Sequence, residues 1–210
     1  MTLLRPGVFH PRPARRNVKK LPPLIHLTDA ARFPDPEPAV FALPRGSLVI
    51  LRHYDAANRH LLARRLATLC RARGLRLLIA GDGRLAAAVG ADGLHLPEWL
   101  ARGQISVGYG WRRRRPDWLI TAAAHSEAAL HHAEAAGADA VLLAPLFPTK
   151  SHPGACPLGI VRFARLAHQA HLPVYGLGGI DALAARRLRD SGAVGIAAVS
   201  ALGDAVPLIL

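Results

Sequence analysis

A short apolar run, an amphipathic stretch, a glycine and then another apolar run: this alternation recurs from residue 24 to residue 199 and constrains the fold more than any single residue. The apolar runs fall at 24–27, 48–51, 75–80, 93–96, 118–122, 140–144, 173–176 and 195–199. They are apolar almost throughout rather than alternating, as expected of strands whose sheet is covered on both faces. Between them lie helical patterns. In 56–73, Leu61, Leu62, Leu66, Leu69 and Cys70 share one side, with Arg64, Arg65, Arg71 and Arg73 opposite. Gly74, Gly90, Gly137 and Gly192 each precede a strand by a few residues, the position of a helix-terminating glycine. Asp55, Ser126 and Asp181 stand where helix N-caps are needed. The phrases GADGLHL, GADAVLL and GAVGIAA read as copies of one supersecondary unit. Eight such units predict an α/β protein with eight parallel strands, a (β/α)8 TIM barrel over 24–210 whose functional residues cluster at the C-terminal strand ends. A doubly wound sheet is the alternative, because 210 residues is short for a barrel. Pro34, Pro36, Pro38 and Pro44 leave one helical turn around 39–43, and the chain stops at Leu210, so the first and last helices are expected to be short or irregular.

Composition narrows the classes. Hydrophobic residues make up 51% and aromatics only 5%, so the core must come from Ala, Leu, Val and Ile, and global disorder is excluded. No apolar run approaches the ~20 residues a bilayer demands, and the basic N-terminus lacks the apolar stretch of a secretory leader. Cys70 and Cys156 have no metal-type spacing, which points to a reducing cytoplasm. The formal charge of +13 suits an anionic partner. Much of it sits in residues 1–23, a basic, proline-punctuated segment read as a flexible tail, and in Arg112 to Arg115 between Trp111 and Trp118. The remaining arginines ride on polar helix faces. A small phosphorylated ligand therefore fits better than nucleic acid, for which one aromatic–basic cluster is poor evidence.

Given the barrel, the rim comprises Asp29, Arg52, Ala80, Gly81, His95, His125, residues 145–152, residues 176–180 and Ser200. Gly176-Leu177-Gly178-Gly179 after the seventh strand and Val199-Ser200-Ala201 after the eighth resemble a phosphate cradle of backbone N–H groups. A tight turn ahead of Asp181 would also use those glycines. The histidines at 131, 132, 168 and 171 read as surface residues, and no metal-ligand spacing is present.

The ordered set LTD (27–29), GADGLHL (90–96), AHS (124–126), GADAVLLAPLFPTKS (137–151), PLG (157–159), PVYGLGGI (173–180) and GAVGIAAVSAL (192–202) resembles the thiamine phosphate synthase and thiazole tautomerase family of thiamine biosynthesis. The resemblance implies a thiazole phosphate bound by Gly178, Gly179, Val199 and Ser200, with Thr149 and Ser151 nearby and Arg52 as a further ligand contact. The departures favour one branch. The synthase motif QLREK appears as Ile50-Leu51-Arg52-His53-Tyr54, and the two carboxylates that hold Mg2+ for the diphosphate fall at Gly81 and Leu100. Neither side chain offers an oxygen, and Mg2+ requires carboxylate ligands. The synthase serine of the fifth strand becomes Ala123, and a lysine becomes His152. The tautomerase branch lacks the metal pair and uses a base resembling His125, since a neutral imidazole takes up and returns protons near neutral pH. The expectation is thus a tautomerase-like protein without cofactor. The alternatives are an Mg2+-dependent synthase or a catalytically silent barrel that binds a thiamine precursor.

Overall fold

The computed structural model describes residues 21–103, 107–149, 154 and 156–199. Eight parallel strands, β1 (Leu24–Leu27), β2 (Leu48–Leu51), β3 (Arg76–Ala80), β4 (Gly93–Leu96), β5 (Leu119–Ala124), β6 (Ala140–Leu143), β7 (Val174–Leu177) and β8 (Ala193–Ala198), close into a barrel in chain order. The closing seam pairs Leu24 with Ile196 and His26 with Ala198. Helices α1 (Glu37–Phe41), α2 (Arg59–Arg73), α3 (Gly83–Ala88), α4 (Glu98–Gly103), α5 (Val107–Arg114), α6 (Glu127–Ala135), α7 (Gly159–Gln169) and α8 (Ala182–Arg187) lie between the strands in sequence. The structure is therefore the (β/α)8 barrel, not the doubly wound sheet. Its first helix is short as expected, and whatever follows β8 beyond Val199 lies outside the described residues.

Two apolar layers explain why the strands are apolar throughout. Ile25, Leu27, Leu48, Ile50, Leu78 and Leu142 fill the barrel interior with Tyr175. Their strand neighbours Leu24, Val49, Leu51, Leu77 and Leu143 pack in the second layer with helix residues such as Leu66 and Phe163. The repeated phrases have a physical job. Asp92 Oδ2 accepts the backbone N–H of Leu77, and Asp139 Oδ2 accepts that of Ile120, both at 2.8 Å, so each aspartate ties a strand entrance to the preceding strand. The third copy has the exposed Val194 at the matching position.

Helix ends follow the same logic. Gly74 takes φ +66°, a left-handed conformation that spares a side chain, and its N–H donates to Arg71 O. Ser126 Oγ and Asp181 Oδ1 accept the N–H groups of Ala129 and Ala184 and cap α6 and α8. Asp55 does not cap its helix. α2 begins at Arg59, with Asn58 preceding it and no side-chain cap. Its buried stripe is Leu62, Ala63, Leu66, Ala67 and Cys70, whereas Leu61 lies ~100° back round the helix and is exposed.

Of the segment read as a tail, residues 21–23 dock on the barrel. Leu21 packs against the interior cluster, the buried Tyr175 hydroxyl donates to Pro22 O at 2.7 Å, and Ile196 N–H donates to Pro23 O. Residues 1–20 lie outside the described residues. The aromatic–basic cluster is a packing unit: Trp118 is fully buried, stacks on Trp111 at 5.3 Å, and Trp111 covers Gly83 so closely that a Cβ there would come within 2.2 Å of its ring. Arg112 in the same run is tied to Asp139 at 2.8 Å. No helix among the described residues is long and apolar enough to cross a membrane.

Candidate active site

The C-terminal ends of the strands surround a cavity of about 580 Å³. Arg52, His125, Thr149, Gly178, Gly179 and Val199, residues expected from five different stretches of sequence, all line it. Ser151 and Ser200 lie outside the described residues. A much smaller cavity of about 50 Å³ is lined by residues of α6 and α7 and by Val141, His171 and Leu172, and shares no residue with the first.

The LTD phrase fixes Arg52. Its Nη2 donates to Asp29 Oδ2 at 3.1 Å, its Nε to Thr28 O at 3.0 Å, and its backbone N–H to Thr28 Oγ1 at 3.0 Å. His53 Nδ1 lies 2.9 Å from the same hydroxyl. The QLREK glutamine and lysine are lost, but the arginine remains, anchored from the residues after β1, at the cavity wall. Arg32 also reaches the cavity, from the loop after β1. Across it, Gly178 and Gly179 adopt φ +97° and +66°. A Cβ on Gly179 would come within 2.5 Å of Pro148 O, so this loop closes on the β6 loop only without side chains.

His125 directly follows β5 and is about half exposed. Its Nδ1 lies 2.5 Å from Oε2 of Glu98, the first residue of α4, whose Oε1 accepts from Arg102 Nη2 at 2.5 Å. Burial alone raises the Glu98 carboxyl, but the hydrogen bonds and charges of His125 and Arg102 outweigh it and hold the group below the ordinary range. Glu98 also lines the cavity, as do Tyr54 and the exposed Trp99. None of these three was expected. The available signal was the rule that singled out His125, because Glu98 stands two residues past the end of β4.

The cavity also includes His95, which is fully buried with Nδ1 2.9 Å from Thr121 Oγ1. Burial, reinforced by the nearby Arg52 charge, drops its pKa to about 3, so it stays neutral across the physiological range. The same causes, in the same order, bring buried His26 to about 4.

The residues do not fit the Mg2+ site of the synthase pattern. Gly81 takes φ +73°, and a Cβ there would meet Tyr54 Cε1 at 3.6 Å and Pro97 Cγ at 3.7 Å. Leu100 packs against the apolar layer around the strands and is not part of the cavity wall. Asp82, one residue on, caps α3 through the Leu85 N–H at 2.8 Å and sits 3.9 Å from Arg59. The cavity's own carboxylates are committed too: Glu98 to His125 and Arg102, and Asp181 to the N-terminus of α8. Among the described residues, no three His, Cys, Asp or Glu side chains converge.

A family model described as thiamine monophosphate synthase matches residues 37–202. A thiamine-phosphate synthase of Thiobacillus denitrificans is 37% identical over 152 residues, covering 72% of this chain and 70% of that protein. A provisionally named thiamine-phosphate synthase 2 of Aquifex aeolicus is 34% identical over 186 residues, covering 86% and 97% respectively. Among solved structures, thiamine phosphate pyrophosphorylase from Pyrococcus furiosus superimposes with a TM-score of 0.71 at 23% identity, over 89% of this chain and 94% of that one.

Proposed function

The chain belongs to the thiamine monophosphate synthase family of thiamine biosynthesis, and from that premise we propose that it acts as a thiazole tautomerase. The substrate would be a carboxylated, non-aromatic thiazole phosphate, and the product its aromatic isomer. One observation carries this reading: His125, Arg52 and the Gly178–Gly179 loop line one cavity, while the positions of the metal carboxylates hold Gly81 and the half-buried Leu100. The phosphate would lie against the backbone at Gly178, Gly179 and Val199, where glycine permits close approach, with Thr149 beside it. Arg52, held by Thr28 and Asp29, would supply a positive charge for the substrate carboxylate. His125 would take a proton from the non-aromatic ring and return it elsewhere, so the reaction is an isomerisation that needs neither leaving group nor cofactor.

The synthase names of the relatives favour a second reading, coupling of a pyrimidine diphosphate to a thiazole phosphate. One experiment separates the two. The full chain is incubated in parallel with the non-aromatic thiazole substrate and, with Mg2+, with the two synthase substrates. Aromatisation without pyrophosphate release supports the tautomerase. Robust pyrophosphate release overturns it, and silence in both arms with retained thiazole phosphate binding would mark a ligand-binding barrel.

A further inference from the structure

We propose that Glu98 is a positioning residue that locks the His125 ring in one tautomer. This deepens the tautomerase reading and rests on it for its catalytic meaning. An ionised carboxylate only accepts hydrogen bonds, so the contact from Glu98 Oε2 to His125 Nδ1 requires the proton on Nδ1. The neutral ring then carries its accepting lone pair on Nε2, and that ring lines the cavity.

The glutamate is itself held. Its two oxygens are divided between partners, Oε1 to Arg102 one helical turn along α4 and Oε2 to His125. It follows Pro97 at the start of α4, and its side chain is 16% exposed against 46% for His125, so the carboxylate is the more enclosed member of the pair. The two residues come from successive barrel units, one after β4 and one after β5, and the Ser126 cap of α6 fixes the backbone beside the histidine. Burial raises the Glu98 carboxyl, but the hydrogen bonds and charges of His125 and Arg102 together outweigh it, which keeps it charged and therefore acceptor-only at neutral pH. A base that must take and return a proton from a fixed ligand gains from keeping its proton-accepting nitrogen the same one in every turnover.

The test reads the ring directly. The full chain is labelled with 15N in its histidine rings and recorded above the imidazole titration range, with the His125 signals identified by their loss in His125→Gln. The expected wild-type pattern is a protonated Nδ1 and an unprotonated Nε2. In Glu98→Ala the ring should move toward the tautomer water favours, with the proton on Nε2. Glu98→Gln, which keeps an acceptor oxygen, should hold the wild-type pattern. In turnover, Glu98→Ala should lower kcat by roughly ten- to a hundredfold, less than loss of the base itself, with KM little changed. Added to His125→Gln, it should cost nothing more. An identical ring pattern in wild type and Glu98→Ala overturns the proposal. Because the pattern is measured without substrate, it decides the role of Glu98 even where absence of wild-type turnover refutes the tautomerase reading.

Discussion

Acid should weaken this barrel well before its carboxylates begin to titrate, because of two buried histidines. His26 and His95 are held neutral, their pKa values lowered from 6.5 to about 4 and about 3 by burial and then by the Arg52 charge. A lowered folded value means the unfolded chain binds the proton first. Stability is therefore complete above pH 6.5 and is lost as pH falls from 6.5 toward the folded values. At pH 5 the solution lies about 1.5 units below the unfolded value of each group, and at ~1.36 kcal/mol per unit each removes about 2 kcal/mol. Together they remove about 4 kcal/mol, a large part of the ~5–15 kcal/mol that holds a typical domain. Glu98 does not blur this window. Its lowered pKa makes its contribution present above the ordinary carboxylate range and lost only at lower pH. Urea unfolding from about pH 7.5 to about pH 5 should show the decline in the wild type and about half of it in His95→Asn, whatever offset that substitution adds at every pH. A flat wild-type profile, or equal slopes in the two proteins, would refute the reasoning.

Three further outcomes are expected. Gly179→Ala forces a Cβ into a left-handed residue 2.5 Å from Pro148 O, so it should open the loop between β7 and β8 and weaken inorganic phosphate binding at least several-fold, measured by calorimetry, with the barrel still folded by circular dichroism. Tyr175→Phe, which strands the Pro22 carbonyl, should cost ~1 kcal/mol and lower Tm by a few degrees. Removal of residues 1–20 should leave Tm nearly unchanged, and a large drop would show that they pack on the barrel.

The fold was legible because its signals were local and repeated. Four-residue apolar runs such as Gly93–Leu96 have few other homes, and the terminating glycines recur at matched positions. The cavity wall followed from the rule that strand ends face the ligand, which brought Arg52, His125, Thr149 and Gly178 together. Pairwise geometry was not legible. Glu98 has no signal of its own in the sequence, where Leu100 stands at the position of a metal carboxylate, and nothing there says that the first residue of α4 reaches across to the residue after β5. Asp55 offered the right chemistry for a cap, but the turn before α2 runs three residues longer and passes it by. The docking of residues 21–23 was hidden in the same way, because Pro22 contributes a backbone carbonyl, which any residue carries.

The most direct test compares wild type and His125→Gln on the non-aromatic thiazole carboxylate phosphate, following formation of the aromatic ring with no metal added. The account predicts wild-type conversion and a loss of ~10²–10⁴-fold in kcat for the variant, with phosphate affinity retained. Conversion by His125→Gln at the wild-type rate, or none by the wild type, would contradict it.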